Sequence, residues 1–160
     1  MSEIAPIGQT KPDIATTDIE EFLGISLEGE LIGIPLKKIL TISKILDTVK
    51  VPYTPDYIVG VINLRGEIIP VLSLKRVLGL SEKEQPTRIV VLDSTHGKAG
   101  ILVDNIVGVI RVPQERFEPN PMMGRYSAYV SHVAQTEYGL MEILDVERLI
   151  NSMVREEEPT

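Results

Sequence analysis

The sequence predicts an all-β fold, built as a small barrel or a pair of them. Three observations carry this. The 160-residue chain is 43% hydrophobic but only 4% aromatic and has no tryptophan. Its core must therefore be made of Val, Ile and Leu, a bias that favours strands. Apolar runs are short, and Gly or Pro turns interrupt them throughout. The clearest pair of runs, residues 58–64 and 68–72, flanks Arg65-Gly66-Glu67, where Gly66 supplies the positive φ of a tight turn. A chain of this length holds one compact domain or two very small ones sharing an interface.

The elements follow in order. Residues 1–17 carry two prolines and Gly8 without periodicity and are expected to form a loose tail. The body begins near Asp18. Residues 21–27 and 31–36 are expected to pair around Glu28-Gly29-Glu30, and residues 38–43 to form a third strand. Residues 48–55 hold two prolines and read as a loop. After the 58–72 hairpin, residues 74–78 form a helical turn that Gly79 stops. The polar stretch 81–87 is the best internal linker. Residues 88–93 and 98–103 form another hairpin around Ser94-Thr95-His96-Gly97, and 107–112 continue as a strand. Residues 113–124 are proline-rich and irregular. Residues 128–136 and 139–144 are the last strand pair. Asp145 then caps a helix with Val146, Leu149, Ile150 and Met153 on one face. Residues 155–160 are a charged tail. A short echo sets Gly60-Val61-Ile62-Asn63-Leu64 against Gly108-Val109-Ile110-Arg111-Val112, a hint of duplicated halves.

Charge narrows the function. The formal net charge is −7. Nucleic-acid binding needs Lys and Arg to neutralise phosphates, and attraction to anionic membranes needs the same. Neither is expected. A chain this acidic resists self-association at low salt, so a monomer is expected in isolation. There is no cysteine, so disulfides, thiolate metal sites and thiol nucleophiles are excluded. No basic-plus-apolar leader or membrane-length apolar run occurs, which makes the cytoplasm the default location.

No catalytic group, metal site or cofactor is expected. His96 falls in a predicted turn and reads as solvated. His132 falls in a predicted strand and reads as half-buried with one hydrogen bond. They share no ligand spacing with each other or with carboxylates. Phosphate-binding loops, dinucleotide fingerprints and nucleophile elbows do not occur. Asp93 and Asp104 could face each other across a hairpin. Only if they shared a concave pocket would a small hydrolase or sugar-binding protein on a β-barrel come into view.

The polar groups that stand out are Asn63 and Arg65 at the end of the apolar hairpin. Side chains alternate along a strand, so these two share a face with Val59 and Val61. A guanidinium on a rigid hairpin is a directional group suited to recognising another protein. The plainer readings are an arginine that solvates itself or caps a carbonyl, and an asparagine that pairs with its own turn.

The same hairpin resembles the CheW family, the coupling proteins of bacterial chemosensory arrays. The matching residues are Pro55, Tyr57, Ile58, Gly60, Val61, Asn63-Leu64-Arg65-Gly66, Ile69-Pro70-Val71 and Leu74. Agreement extends to Glu21-Phe22-Leu23, Gly33-Ile34, Thr87-Arg88-Ile89-Val90-Val91-Leu92 and Gly100-Ile101-Leu102-Val103-Asp104, then through residues 140–150. It covers about residues 18–153. The resemblance implies two five-stranded SH3-like barrels packed against each other; the polar stretch 81–87 is the expected boundary between them, with exchange of strands across it left open. It implies a non-enzymatic adaptor that bridges the cytoplasmic helical tip of chemoreceptors to the regulatory domain of a CheA-type histidine kinase. That domain is homologous, and the two pair barrel to barrel, sometimes into rings. The implied location is cytoplasmic, at receptor arrays on the inner membrane.

The resemblance also implies a receptor-binding set of Ile39, Gly60, Asn63, Arg65, Ile89 and Val109. Arg65 would orient the receptor through its stiff, always-charged fork. Ile39, Ile89 and Val109 would give apolar contact to a helix in a groove. Gly60 would permit close approach. Three positions depart from the family pattern. Thr41, Ser73 and Pro35 stand where members often carry acids, and loss of a carboxylate near Arg65 would weaken an ion pair. Flagellar chemotaxis, twitching motility and another chemosensory output all fit, as does a detached regulatory domain of the kinase.

Overall fold

The computed structural model describes residues 18–120 and 128–157. The expected N-terminal tail and residues 121–124 of the irregular stretch lie outside them. The strands in chain order are β1 (Ile19–Leu27), β2 (Glu30–Pro35), β3 (Ile39–Lys44), β4 (Ile58–Leu64) and β5 (Glu67–Leu72). Helix α1 (Leu74–Leu78) precedes β6 (Arg88–Ser94), β7 (Gly97–Val103), β8 (Asn105–Pro113) and β9 (Glu118–Pro119). β10 (Val130–Thr136), β11 (Gly139–Leu144) and α2 (Val146–Glu157) complete the chain, the last running into the expected C-terminal tail.

Two hairpins use the same turn chemistry. Glu28-Gly29 joins β1 to β2 with φ of 51° and 82°, and Arg65-Gly66 joins β4 to β5 with φ of 54° and 87°. Positive φ at both central positions is what a two-residue type I′ turn requires, because it matches the twist of the strands. Each turn is thus one residue shorter than expected, and Glu30 and Glu67 already belong to strands.

One sheet runs β8-β1-β2-β11-β10-β9 and the other β3-β6-β7-β5-β4. β9 has two residues, so each sheet is in substance five-stranded. Neither closes fully. In the second, Val49 exchanges two 2.9 Å backbone bonds with Val61, rolling the chain beyond β3 onto β4. The result is two SH3-like open barrels. The expected boundary needs correction. Residues 81–87 connect strands of a single sheet, whereas the chain changes sheets at Leu36–Lys38 and at Asp104. The N- and C-terminal strands build one barrel together, through the parallel pair β2–β11.

The two sheets share a topology. Replacing β3, β4, β5, β6 and β7 by β8, β10, β11, β1 and β2 turns one strand order into the other. Both contain one parallel pair, β5–β7 or β2–β11, and a helix follows the equivalent strand in each. The short echo noted above links β4 with β8, which are not equivalent. The structural repeat is Pro70-Val71-Leu72-Ser73-Leu74-Lys75-Arg76-Val77-Leu78 against Glu142-Ile143-Leu144-Asp145-Val146-Glu147-Arg148-Leu149-Ile150, without a gap.

Three apolar cores result. Phe22, Ile110, Val112, Ala134, Met141 and Ile143 fill the first barrel. Ile62, Ile69, Val71, Ile89 and Val91 fill the second. The largest lies between barrels and takes Leu23, Ile25, Ile32, Ile34, Val90, Leu92 and Ile101 together with α2. Equivalent glycines leave room inside each barrel. A Cβ on Gly33 would lie 2.5 Å from Met141 Sδ, and one on Gly100 would lie 2.9 Å from Ile89 Cγ2.

Asp145 caps α2 as expected, and Ser73 caps α1. The Arg76 amide donates to Ser73 Oγ at 3.3 Å and the Arg148 amide to Asp145 Oδ1 at 3.0 Å, each satisfying an orphan first-turn donor. Gly79 stops α1 at φ 74°. Val146, Leu149, Ile150 and Met153 are all buried against the central core.

Candidate protein-binding surface

Arg65 stands at the tip of the β4–β5 hairpin, exposed and in the left-handed region. Its guanidinium makes no hydrogen bond or ion pair with any described residue. The nearest carboxylate in sequence, Glu67, is taken by Lys98 at 2.8 Å. That partner comes first among the causes raising the Lys98 pKa. Asn63 Oδ1 accepts the Gly66 amide at 2.9 Å and so shapes the turn that presents Arg65. Of the two plain readings, the one for Asn63 holds and the carbonyl-capping one for Arg65 does not.

The other four predicted residues scatter. Val109 is 54% exposed on β8, in the first barrel. Ile39 is half-buried at the start of β3 and packs on the central core. Ile89 is completely buried inside the second barrel, so it offers no contact surface; this corrects its expected role. Gly60 is also buried, and the close approach it permits is by its own chain. A Cβ there would lie 2.6 Å from the Val49 carbonyl oxygen.

The family departures find local explanations. Ser73 caps α1 at the end of β5 opposite the Arg65 turn. Six strand residues at about 3.3 Å each put it about 20 Å away, too far for an ion pair with Arg65. Pro35 is buried at the end of β2, where a carboxylate would need a partner. Thr41 is half-buried opposite Val91.

Alternation left one feature unannounced. β3 and β8 are equivalent edge strands, each paired on one side only. Each presents two exposed apolar residues and then a base: Leu40, Ile42 and Lys44 on β3, and Val107, Val109 and Arg111 on β8. Ile45 extends the first strip. The signal was in the sequence as apolar residues at both parities of β3, which the strand assignment alone could not divide into faces.

The groups considered for chemistry do not converge. Asp93 is exposed and paired in register with Lys98, at the far end of the β6–β7 hairpin from Asp104. Asp104 is 1% exposed and lies 2.7 Å from the Lys75 ammonium. Lys75 also meets Glu28 Oε2 and donates to the Glu84 carbonyl, each at 2.7 Å. Lys75, then Ser81, hold the Glu28 carboxyl down at about 2. The Asp104 that ends the Gly-x-x-Val-Asp strand thus belongs to an ionic node between barrels. His96 is exposed in its turn, its amide donating to Ser94 Oγ. His132 is exposed, not half-buried, with its ring 5.9 Å from Phe117, because only the two-residue β9 flanks β10 there. Among the described residues no three acids or histidines form a metal-binding group, and no helix is long and apolar enough to cross a membrane.

This arrangement of two barrels, a free arginine tip and apolar edges has known relatives. A family model described as CheW-like domain matches residues 21–154. A chemotaxis protein CheW of Helicobacter pylori is 35% identical over 65% of this chain and 64% of its own length. One of Thermotoga maritima is 27% identical over 86% of this chain and 91% of that protein. A crystal structure of the scaffolding protein TtCheW of Thermoanaerobacter tengcongensis superposes with a TM-score of 0.76 at 32% identity, covering 81% of this chain and 86% of that one. With the model spanning nearly the whole described body and the double-barrel fold matching, this chain belongs to the CheW-like domain family.

Proposed function

We propose that this chain is a chemotaxis adaptor that couples chemoreceptors to a CheA-type histidine kinase, and that it does so without turnover. The carrying observation is the Arg65 guanidinium, unpartnered among the described residues, on a turn locked by Asn63. A free, always-charged fork held in one place keeps its hydrogen-bonding capacity for another molecule, and little of its order has to be created on binding. Family membership supports the reading: the related proteins are named chemotaxis and scaffolding proteins.

In this reading Arg65, Ile39 and Val109 contact the helical tip of the receptor. Asn63 positions Arg65, while Gly60 and Ile89 support the second barrel from inside. The apolar edge β3 suits pairing with a homologous barrel of the kinase regulatory domain, since an unpaired strand edge is a ready docking template. The protein would work in the cytoplasm, recruited to receptor arrays at the inner membrane.

The test is an NMR shift titration against a receptor tip fragment and a kinase regulatory domain from the same organism. Receptor-induced shifts should centre on residues 63–66. Arg65→His should weaken receptor binding about tenfold, near 1.4 kcal/mol, with the fold intact, because histidine tolerates the left-handed region. Unchanged receptor affinity in that variant would remove Arg65 from the site.

A further inference from the structure

The ionic node at Lys75 has a counterpart with reversed charges. Lys75 and Glu147 are equivalent in the structural repeat, each the second residue after a helix cap. Each reaches the other barrel. Lys75 meets Glu28 in the β1–β2 turn and Asp104 in the β7–β8 crossover. Glu147 meets Thr95 in the β6–β7 turn, and Lys38 in the β2–β3 crossover at 2.6 Å. The turns are equivalent and so are the crossovers. One clasp places a cation on the helix and anions around it; the other places an anion on the helix and a cation beside it.

The clasps differ in burial. Side chains of Lys75, Glu28 and Asp104 are 6%, 6% and 2% exposed, against 27% and 33% for Lys38 and Glu147. They also stand apart. The Lys75 clasp adjoins the start of β6, where Thr87 Oγ1 donates to the Asp104 carbonyl, and the Glu147 clasp grips the turn after its end. Seven strand residues at about 3.3 Å each separate them by about 23 Å. The central core fills the space between.

We propose that the buried Lys75 clasp is a fixed hinge between the barrels and the half-exposed Lys38–Glu147–Thr95 clasp is a latch that ionic strength releases. Salt screens exposed charges strongly and buried ones little, so the two ends respond unequally. Lys38 and Glu147 also line a 550 Å³ cavity with Pro35, Phe117, Ile143 and Asp145, on the first barrel's side of the latch. Releasing the latch frees the β6–β7 turn from α2 while the Lys75 end holds. Lys38, then Thr95, keep the Glu147 carboxyl at about 2, so the latch stays ionised near neutrality.

Amide exchange on the full chain reads both ends at once. The Thr95 amide donates to the Glu147 carboxylate at 3.2–3.3 Å, and the Glu28 amide to Asp104 Oδ2 at 2.7 Å. Raising salt from about 0.02 M to about 0.5 M should speed Thr95 exchange about tenfold and leave Glu28 unchanged. Lys38→Ala should do the same at low salt, and should lengthen the distance between spin labels placed at His96 and Ser131. Thr95 protection indifferent to salt, or Thr95 and Glu28 losing protection together, would overturn the latch. So would a label distance that stays fixed in Lys38→Ala. The salt arm uses the unmodified protein and does not depend on that variant folding.

Discussion

Lys75→Met tests whether the buried node holds the barrels together. The substitution keeps most of the side-chain volume and removes the charge. Lys75 is 5% exposed; its ammonium donates to Glu28 Oε2 and the Glu84 carbonyl and is ion-paired with Asp104 Oδ1, each at 2.7 Å. Without it, two carboxylates remain buried side by side. Removing one partner of a buried ion pair typically costs about 3–5 kcal/mol. Here both acids keep other donors: Glu28 accepts Ser81 Oγ and the amides of Lys83 and Glu84, and Asp104 accepts the Glu28 amide. The low end, about 3 kcal/mol, is therefore expected. For a domain of this size that lowers Tm by about 6–12 °C. Urea unfolding should show a lower midpoint at unchanged slope. Adding Glu28→Gln and Asp104→Asn should return part of the loss, because the stranded charges are then gone. A second signature is acid sensitivity. The folded Glu28 carboxyl sits at about 2, below its usual 4.5. Its contribution is present above 4.5 and is lost as pH falls toward 2. Lys75→Met should flatten that limb. A loss below about 1 kcal/mol, the range of exposed pairs, would refute the reasoning.

Glu142 gives the opposite pH dependence. Burial first, then Glu30, raise its carboxyl to about 7. A raised folded value contributes stability below 4.5 that disappears as pH climbs through 7. Glu142→Gln should remove this slope, and urea midpoints at acid and alkaline pH would then converge; a persisting slope would place the titration elsewhere. Gly60→Ala drives a methyl into the Val49 carbonyl and should cost about 1–3 kcal/mol, with faster exchange at the Val49 and Val61 amides. Loss of receptor binding without loss of stability would return Gly60 to the contact surface. Ser73→Asp replaces one good cap by another and should change stability by less than about 0.5 kcal/mol, whereas Ser73→Ala should cost about 0.5–2 kcal/mol; thermal melts separate the two.

The hairpins, the Asp145 cap and the Gly79 stop were legible because their signals are local. A glycine in a two-residue turn, flanked by alternating apolar residues, needs no knowledge of the rest of the chain. Sheet membership was not legible. It rests on two parallel pairings, β2 with β11 and β5 with β7, that join strands distant in sequence and leave no turn between them. Hence residues 81–87 looked like a boundary although the strands around them share a sheet. Ile89 shows the same limit at one residue. β6 reads Ile89-Val90-Val91-Leu92, apolar at every position, because one face lines a barrel and the other the inter-barrel core. Such a run cannot reveal which face, if any, meets a partner.

The free arginine and the buried lysine illustrate two uses of charge in one acidic chain. Arg65 has no partner among the described residues, and its left-handed turn carries a strain that only a shaped hairpin sustains. Lys75 has a full set of partners, and its removal should be felt as stability. Sequence position did not separate them, since each closely follows an apolar strand, Arg65 after β4 and Lys75 after β5. What separates them is which turn faces which barrel. The β4–β5 turn points away from the inter-barrel core, while the β1–β2 turn, built on the same Glu-Gly or Arg-Gly pattern, is drawn against α1 by Lys75 and by the 81–84 segment. Equivalent local chemistry is therefore structural at one hairpin and open to a partner at the other. The topology that assigns these roles is the circular order in which the chain visits its two barrels.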